Sequence, residues 1–278
     1  MGQETKQVVA YDLRSFNRAI TSDDTQKYLQ QVLGERKGSF VNNLTALVAN
    51  NANLQKCEPY TVMFAAMKAT ALDLPLDGSL SFAHVIPYNN KKKGITEAQF
   101  QIGWRGLKQL ALRTGQYKAI NTTDVREGEL VRRNRLTGEM EFSFIEDDKK
   151  RLETPVIGYV SYFRLHNGYE STFYMSKEEV EKHAKRYSET YRSKEDWVVQ
   201  SSRWTTDFDA MAMKTVTKLN LSKNGVMSVE MRDAIKADQS IIRADGVYDY
   251  TDNPQQSEID AEKAQDVAKK FADFSEEE

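Results

Sequence analysis

Residues 155–175 read PVIGYVSYFRLHNGYESTFYM, two β-branched and aromatic runs separated by Asn167-Gly168. Asn-Gly between such runs is the strongest short-range signal for a tight hairpin, because the favoured turn needs positive φ at its central residues. Two long strands are thereby committed to adjacency and antiparallel pairing. The segments upstream have the same character. YKAINTTDV, GELVRRNR and GEMEFSFI are strand-like, and SLSFAHVIPYN and ITEAQFQIGW flank the turn NKKKG, whose tip carries Lys91, Lys92 and Lys93.

Helical patterns lie on both sides of this strand-rich middle. Ser22-Asp23-Asp24 opens a helix with Tyr28, Leu29, Val32 and Leu33 on one face. Ser39 opens a second with Phe40, Val41, Leu44, Leu47 and Val48. Pro59 suits the first turn of a third, which carries Met63, Ala66, Met67 and Thr70. A short helix follows Gly103 and is closed by Gly115. Ser176 with Glu179 makes a capping box for a helix to about Tyr187. Another helix begins near Thr206, and a last one near Ser228. This order predicts an α+β fold, an antiparallel sheet and hairpins packed with helices. The expected arrangement is a single core domain over residues 1–245 with a helical N-terminal part. Residues 246–278 read as a flexible acidic tail, apart from a short helix at 258–272.

The formal net charge of −2 conceals a segregation. From Asp245 onward there are 11 acidic residues against Lys263, Lys269 and Lys270, a net −8, which leaves the preceding chain at +6. A cationic body with an acidic tail fits a nucleic-acid binder whose tail repels DNA weakly or recruits a partner, although solubility alone also favours such tails. A single cysteine, Cys57, excludes an internal disulfide and fits a reducing cytoplasm. No run approaches the roughly 20 apolar residues that span a bilayer, and no signal-peptide pattern opens the chain.

Catalytic classes find little support. There is no G-x-x-x-x-G-K-[ST] and no G-x-G-x-x-G after a strand, so a nucleotide-phosphate cradle is not expected. Asp207 and Asp209 are the nearest carboxylate pair, but helical geometry points them about 200° apart, and Asp207 suits a helix N-terminus better. Glu146-Asp147-Asp148 followed by Lys149-Lys150-Arg151 reads as a solvated turn. Scattered His84, His166 and His183 lack the spacing of a zinc site, and no cofactor is expected.

Cationic surfaces remain. After Gly103, residues Arg105, Lys108, Gln109, Leu112 and Arg113 share one helix face, with Trp104, Leu107, Leu110 and Ala111 on the other. The three cations recur at about 5–6 Å, close to the phosphate spacing of a nucleic-acid strand. In the helix after Thr206, Lys214 and Lys218 stack at i, i+4, extended by Thr217, Asn220, Ser222 and Lys223. That like-charge pair is a small cost and suits an anionic partner. Lys91–Lys93, Arg132-Arg133-Arg135, Arg186 and Arg192 add charge. Tyr88, Trp104, Tyr187, Trp197 and Trp204 are interleaved with these cations, a pattern that suits single strands. Core packing is the competing reading for each aromatic.

Several blocks, in order, carry a resemblance: ALDLPLDG, SFAHVIPYN, AQFQIGWRGLKQLALRTGQ, DVREGE, LTGEMEF, PVIGYVSYFRLHNG, YMSKEEVEKHAKRYS and SRWTTDFDAMAMKTVTKLNL. Across residues 59–235 the chain resembles the RecT-type single-strand annealing proteins of phages and prophages. Asp73 stands where that pattern has a glycine. The resemblance implies an ATP-independent, non-enzymatic protein that coats single-stranded DNA and pairs it with its complement in recombination. It implies rings or helical filaments, a 5′-to-3′ exonuclease partner, a host single-strand-binding protein as a second, and action in the bacterial cytoplasm. On this reading the DNA contacts are Tyr88, Lys91, Lys92, Gln101, Trp104, Arg105, Lys108, Arg113, Arg203, Lys214, Lys218, Asn220 and Lys223. The Gly103–Gly106 corner is expected to let the backbone pass close to DNA. Single strand and annealed duplex are both expected ligands. A metal-dependent nuclease and a self-assembling phage scaffold are the alternatives.

Overall fold

The computed structural model describes residues 11–76, 78–90, 93–188 and 190–250. The helices are α1 (Leu13–Thr21), α2 (Asp23–Leu33), α3 (Lys37–Ala49), α4 (Pro59–Ala71), α5 (Trp104–Arg113), α6 (Asp148–Glu153), α7 (Lys177–Tyr187), α8 (Asp196–Ser201), α9 (Arg203–Thr206), α10 (Phe208–Asn224) and α11 (Val229–Ala237). The strands are β1 (Ala83–Asn90), β2 (Ile95–Ile102), β3 (Tyr117–Arg126), β4 (Leu130–Arg133), β5 (Met140–Phe142), β6 (Val156–Leu165), β7 (Glu170–Ser176), β8 (Ile241–Ile242) and β9 (Tyr248–Asp249). The fold is α+β, with small antiparallel sheets packed with helices. Contacts group the chain into two compact units. One takes the chain to Gly78, Ala83–Gln101 and the chain from Lys236; the other takes Ser79–Phe82 and Ile102–Ile235.

The first unit is built around α4. Pro59 occupies its first turn, and the Glu58 carboxylate accepts from the Tyr60 and Thr61 amides. Ala65, Ala66 and Ala69 are buried without a bulky side chain, which lets neighbouring elements approach. Against α4 pack α1, α3, β1 and β8. Phe16, Ile20, Leu29, Leu44, Val48 and Phe100 are buried in this unit, so the apolar faces of the N-terminal helices are already used within it. Helix α1 is absent from the sequence expectation. Its capping box pairs Asp12 with Ser15 rather than with the usual Glu or Gln. At the other end of α4, Asp73 adopts φ +51 and the Leu74 amide donates to the Ala69 carbonyl at 2.9 Å. This is a left-handed helix stop, which explains why a glycine fits there and why the short side chain of Asp tolerates it.

The chain returns to the first unit at its C-terminal side. The Gln239 amide donates to the Phe100 carbonyl, and the Phe100 amide to that of Ser240. Glu97, buried on β2, accepts from Asn90 Nδ2 and Arg243, and Arg243 also pairs with Asp249. Burial would raise the Glu97 carboxyl, but Arg243 and Asn90 hold it below its ordinary range. Lys68 donates to the Tyr248 hydroxyl, and buried Tyr250 donates to the Lys236 carbonyl. Folded structure therefore runs through Tyr250, past the 245/246 boundary that charge composition suggests. The helix expected at 258–272 lies outside the described residues.

The second unit holds a three-stranded antiparallel sheet in the order β3-β6-β7. Gly168, at φ +89, closes the β6–β7 turn as the Asn-Gly signal predicts. Helix α10 crosses one face of this sheet, with α5 against α10 and α7 against β6 and β7. On that face Tyr159, Val180, Ala184, Trp204, Ala212 and Val216 form one core. On the other face Val125, Val160 and Tyr174 are covered by Leu130, Met140 and Phe142 of the β4–β5 pair. The capping box of Ser176 with Glu179 and the N-cap of Asp207 on the Ala210 amide are both present.

Candidate nucleic-acid interface

The opening of α5 corrects one expectation. A Cβ built on Gly103 would lie 2.1 Å from the Ser81 carbonyl oxygen, and one on Gly106 would lie 2.1 Å from that of Phe82. The Gly103 amide donates to the same Phe82 carbonyl at 2.9 Å. The two glycines exist so that the chain's own segment 81–82 can lie against the helix. They are not held open for DNA. Beyond them Leu107, Leu110 and Ala111 are buried, Arg105 and Arg113 are exposed, and Lys108 is half-buried. Trp104 is half-buried with the Arg105 guanidinium 5.6 Å over its ring.

Helix α10 corrects a second. Its presumed polar edge is largely internal, because the sheet beneath it offers small polar partners. Thr217 Oγ1 bonds Thr122 Oγ1 at 2.8 Å; Asn220 Nδ2 donates to the Ser161 carbonyl at 2.9 Å; and Ser171 Oγ donates to Asn220 Oδ1 at 2.8 Å. Tyr159 donates to Asp209 at the start of the same helix. Asn220 is fully buried and committed to these bonds, and Lys214 is only 7% exposed. Lys218 is half-buried and Lys223 exposed, and these two define the accessible cationic end of α10.

That end meets α7. His183 and Tyr187 place their ring centroids 4.5 Å apart, Arg186 lies 5.3 Å over the Tyr187 ring, and Lys223 Nζ lies 5.4 Å over Phe173 of β7. His183, half-buried, feels Lys218, Arg186 and Lys223. Charge and aromatic surface therefore converge at one place, as binding of a single strand requires. The candidate set omits His183, Arg186 and Tyr187. Their spacing of i, i+3, i+4 in KHAKRY is the signal that finds them, once the helix is known to lie beside α10.

The remaining candidates are dispersed. Arg203 is exposed on α9, while its neighbour Trp204 is core, as the competing reading of that aromatic holds. Trp197 on α8 is 65% exposed. Arg132, Arg133 and Arg135 are exposed on the β4–β5 arm, with Arg133 5.7 Å over the Tyr174 ring. Tyr88 and Gln101 are half-buried in the β1–β2 pair of the first unit, and Lys91 and Lys92 lie outside the described residues. The segment expected as a solvated turn, 146–151, is exposed from Glu146 to Lys150, but from Asp148 it is helix α6 rather than a turn, and Arg151 is engaged. Asp147 caps α6, and Arg151 bridges Asp124 and buried Glu129. Cys57 is buried, with its thiol pushed up to about 12 by burial and then by Glu58, an inert residue. Among the described residues no group of three His, Cys, Asp or Glu is placed to hold a metal ion, and no helix is long and apolar enough to cross a membrane.

An α+β chain whose convergent surface is cationic and aromatic belongs with proteins that hold an extended polyanion rather than with those that enclose a small substrate. The RecT family matches residues 38–259, and the chain belongs to that family. It is 43% identical over 241 residues to the uncharacterised protein YqaK of Bacillus subtilis strain 168, covering 86% of this chain and 76% of that one. It is 27% identical over 220 residues to protein RecT of Escherichia coli K12, covering 73% and 75%. Membership carries the coarse function, DNA binding and single-strand annealing in recombination, by proteins that are in general not catalytic.

Proposed function

We propose that the α7–α10 face of the second unit holds a single strand by its phosphates, with Lys218, Lys223 and Arg186 as the central contacts and Arg105, Lys108 and Arg113 of α5 as further ones. The convergence of these α7 and α10 cations around His183, Tyr187 and Phe173 carries this reading. Backbone contacts carry no base information, so the base edges stay free to find a complement. Annealing then draws on binding energy alone and needs no ATP. One face spans only a few nucleotides, so the working unit is an assembly that repeats the grip along the strand, in a ring or helical filament. A 5′-to-3′ exonuclease would supply the single strand, and a host single-strand-binding protein would meet it on the way.

The salt dependence of binding tests the face. Each phosphate contact on a single strand contributes about 0.7 to the slope of log affinity against log salt. The Lys218→Ala, Lys223→Ala, Arg186→Ala triple variant should bind all sequences more weakly to a similar degree, with a slope shallower by about 2. A triple variant with the parent slope would remove the face from the DNA path.

A further inference from the structure

His183 is surrounded in an unusual way. From its own helix come Arg186 and Tyr187, and from α10 come Lys218 and Lys223. Helix α7 also packs on β6 and β7, whose side chains in the shared core are Val156, Tyr159, Phe173 and Met175. Of these only Tyr159 titrates, and it donates to Asp209. Glu179, one turn earlier on α7, accepts from the Ser176 amide at the helix start. Among the described residues, the charges resolved as acting on the imidazole are those of Lys218, Arg186 and Lys223, all positive. Burial first, and then Lys218, Arg186 and Lys223, push its pKa from the ordinary 6.5 to about 4. In the free protein at neutral pH it is an uncharged ring in a nest of cations.

We infer that His183 is a further phosphate ligand of this face, one that acquires its proton only when a strand occupies the site. This rests on the reading that the face holds a strand. A phosphate beside Lys218 and Lys223 brings negative charge, offsets their repulsion of the imidazolium, and accepts a hydrogen bond that the imidazolium can donate from either nitrogen. Its pKa in the complex is then higher than in the free protein. The sign follows directly. Above the bound pKa both states are neutral and affinity is independent of this group. As pH falls through the bound pKa the complex takes up a proton and binding tightens, down to the free pKa. If the bound value returns to the ordinary one, the gain between pH 7.5 and 5.5 is about tenfold.

The experiment uses the full chain and a labelled oligothymidylate, whose bases do not titrate in this range, at fixed salt. The parent should bind about tenfold tighter at pH 5.5 than at 7.5. Calorimetry in two buffers of different ionisation enthalpy should show uptake of about one proton per occupied face at pH 5.5. In His183→Gln the proton uptake and the tightening should fall together, to whatever the carboxylates alone produce. A flat parent profile, or a His183→Gln protein that keeps the parent's pH response, overturns the inference. The face itself is judged separately by the salt slope of the triple variant at pH 7.5. A shallow slope there, with a pH-blind His183, leaves the face standing and removes this role for His183.

Discussion

Gly106→Ala is expected to cost about 3–4 kcal/mol and to lower the melting temperature by on the order of 10 °C, a large effect for one methyl group. The added Cβ would sit 2.1 Å from the Phe82 carbonyl oxygen and 3.0 Å from its carbon. Both are backbone atoms, so no rotamer change relieves the clash. The carbonyl is also the acceptor for the Gly103 amide, so moving it gives up the bond that starts α5. Gly38→Ala is the control. It lies in α3, with nothing within 4 Å of its added Cβ, and should be neutral or stabilising by up to about 1 kcal/mol. Thermal unfolding followed by circular dichroism compares the two. A Gly106→Ala protein that melts with the parent would mean that segment 81–82 does not lie against α5.

Arg151→Met should cost about 3 kcal/mol at neutral pH, through loss of the charge that Glu129 requires. Glu129 has no exposed surface; it accepts from the Arg126 and Ile145 amides and from the Arg151 guanidinium. Arg151 also reaches Asp124, which Arg126 pairs from the other side. Burial alone would raise both carboxyls, but these donors and cations hold them below their ordinary range. A depressed folded pKa contributes stability above the unfolded value, and that contribution is lost as pH falls through the folded one. Without Arg151, burial dominates at Glu129, its folded pKa rises, and protonation becomes favourable. The gap between parent and variant should therefore narrow as pH falls from 7 toward about 4, where unfolded carboxylates titrate. Denaturant midpoints at several pH values measure it. A gap that stays constant or widens toward acid would contradict the ion-pair account.

These two sites also mark where sequence reasoning stops. Local devices were legible because their partners lie within a few residues: Asn167-Gly168 in the hairpin, Ser176 with Glu179, Pro59 in α4, Asp207 at the start of α10. The role of Gly103 and Gly106 was not, because it depends on Ser81 and Phe82 coming back against them. Nor was the burial of Lys214, Thr217 and Asn220. Helical periodicity identifies a polar edge, but only the register of β3, β6 and β7 reveals that Thr122, Ser161 and Ser171 are there to receive it. Arg151 looked solvated for the same reason, its partners being Asp124 and Glu129 across the β3–β4 corner. The short β8–β9 pair follows directly on the long-range bridge of Ser240 to Phe100, and two-residue strands carry no period to read. Of the predicted DNA contacts, Arg105, Arg113 and Arg203 are exposed, as is Lys223 at the end of α10, while Lys214 and Asn220 are buried. The convergence with α7 appears only in three dimensions.

The most direct measurement is the annealing of two complementary oligonucleotides, followed by duplex formation with and without ATP in the solution. The parent chain should anneal them at the same rate with and without ATP, and the Lys218→Ala, Lys223→Ala, Arg186→Ala variant should be slowed in step with its weakened grip on a single strand. A parent that requires ATP, or a triple variant that anneals at the parent rate, would contradict annealing by phosphate binding on this face.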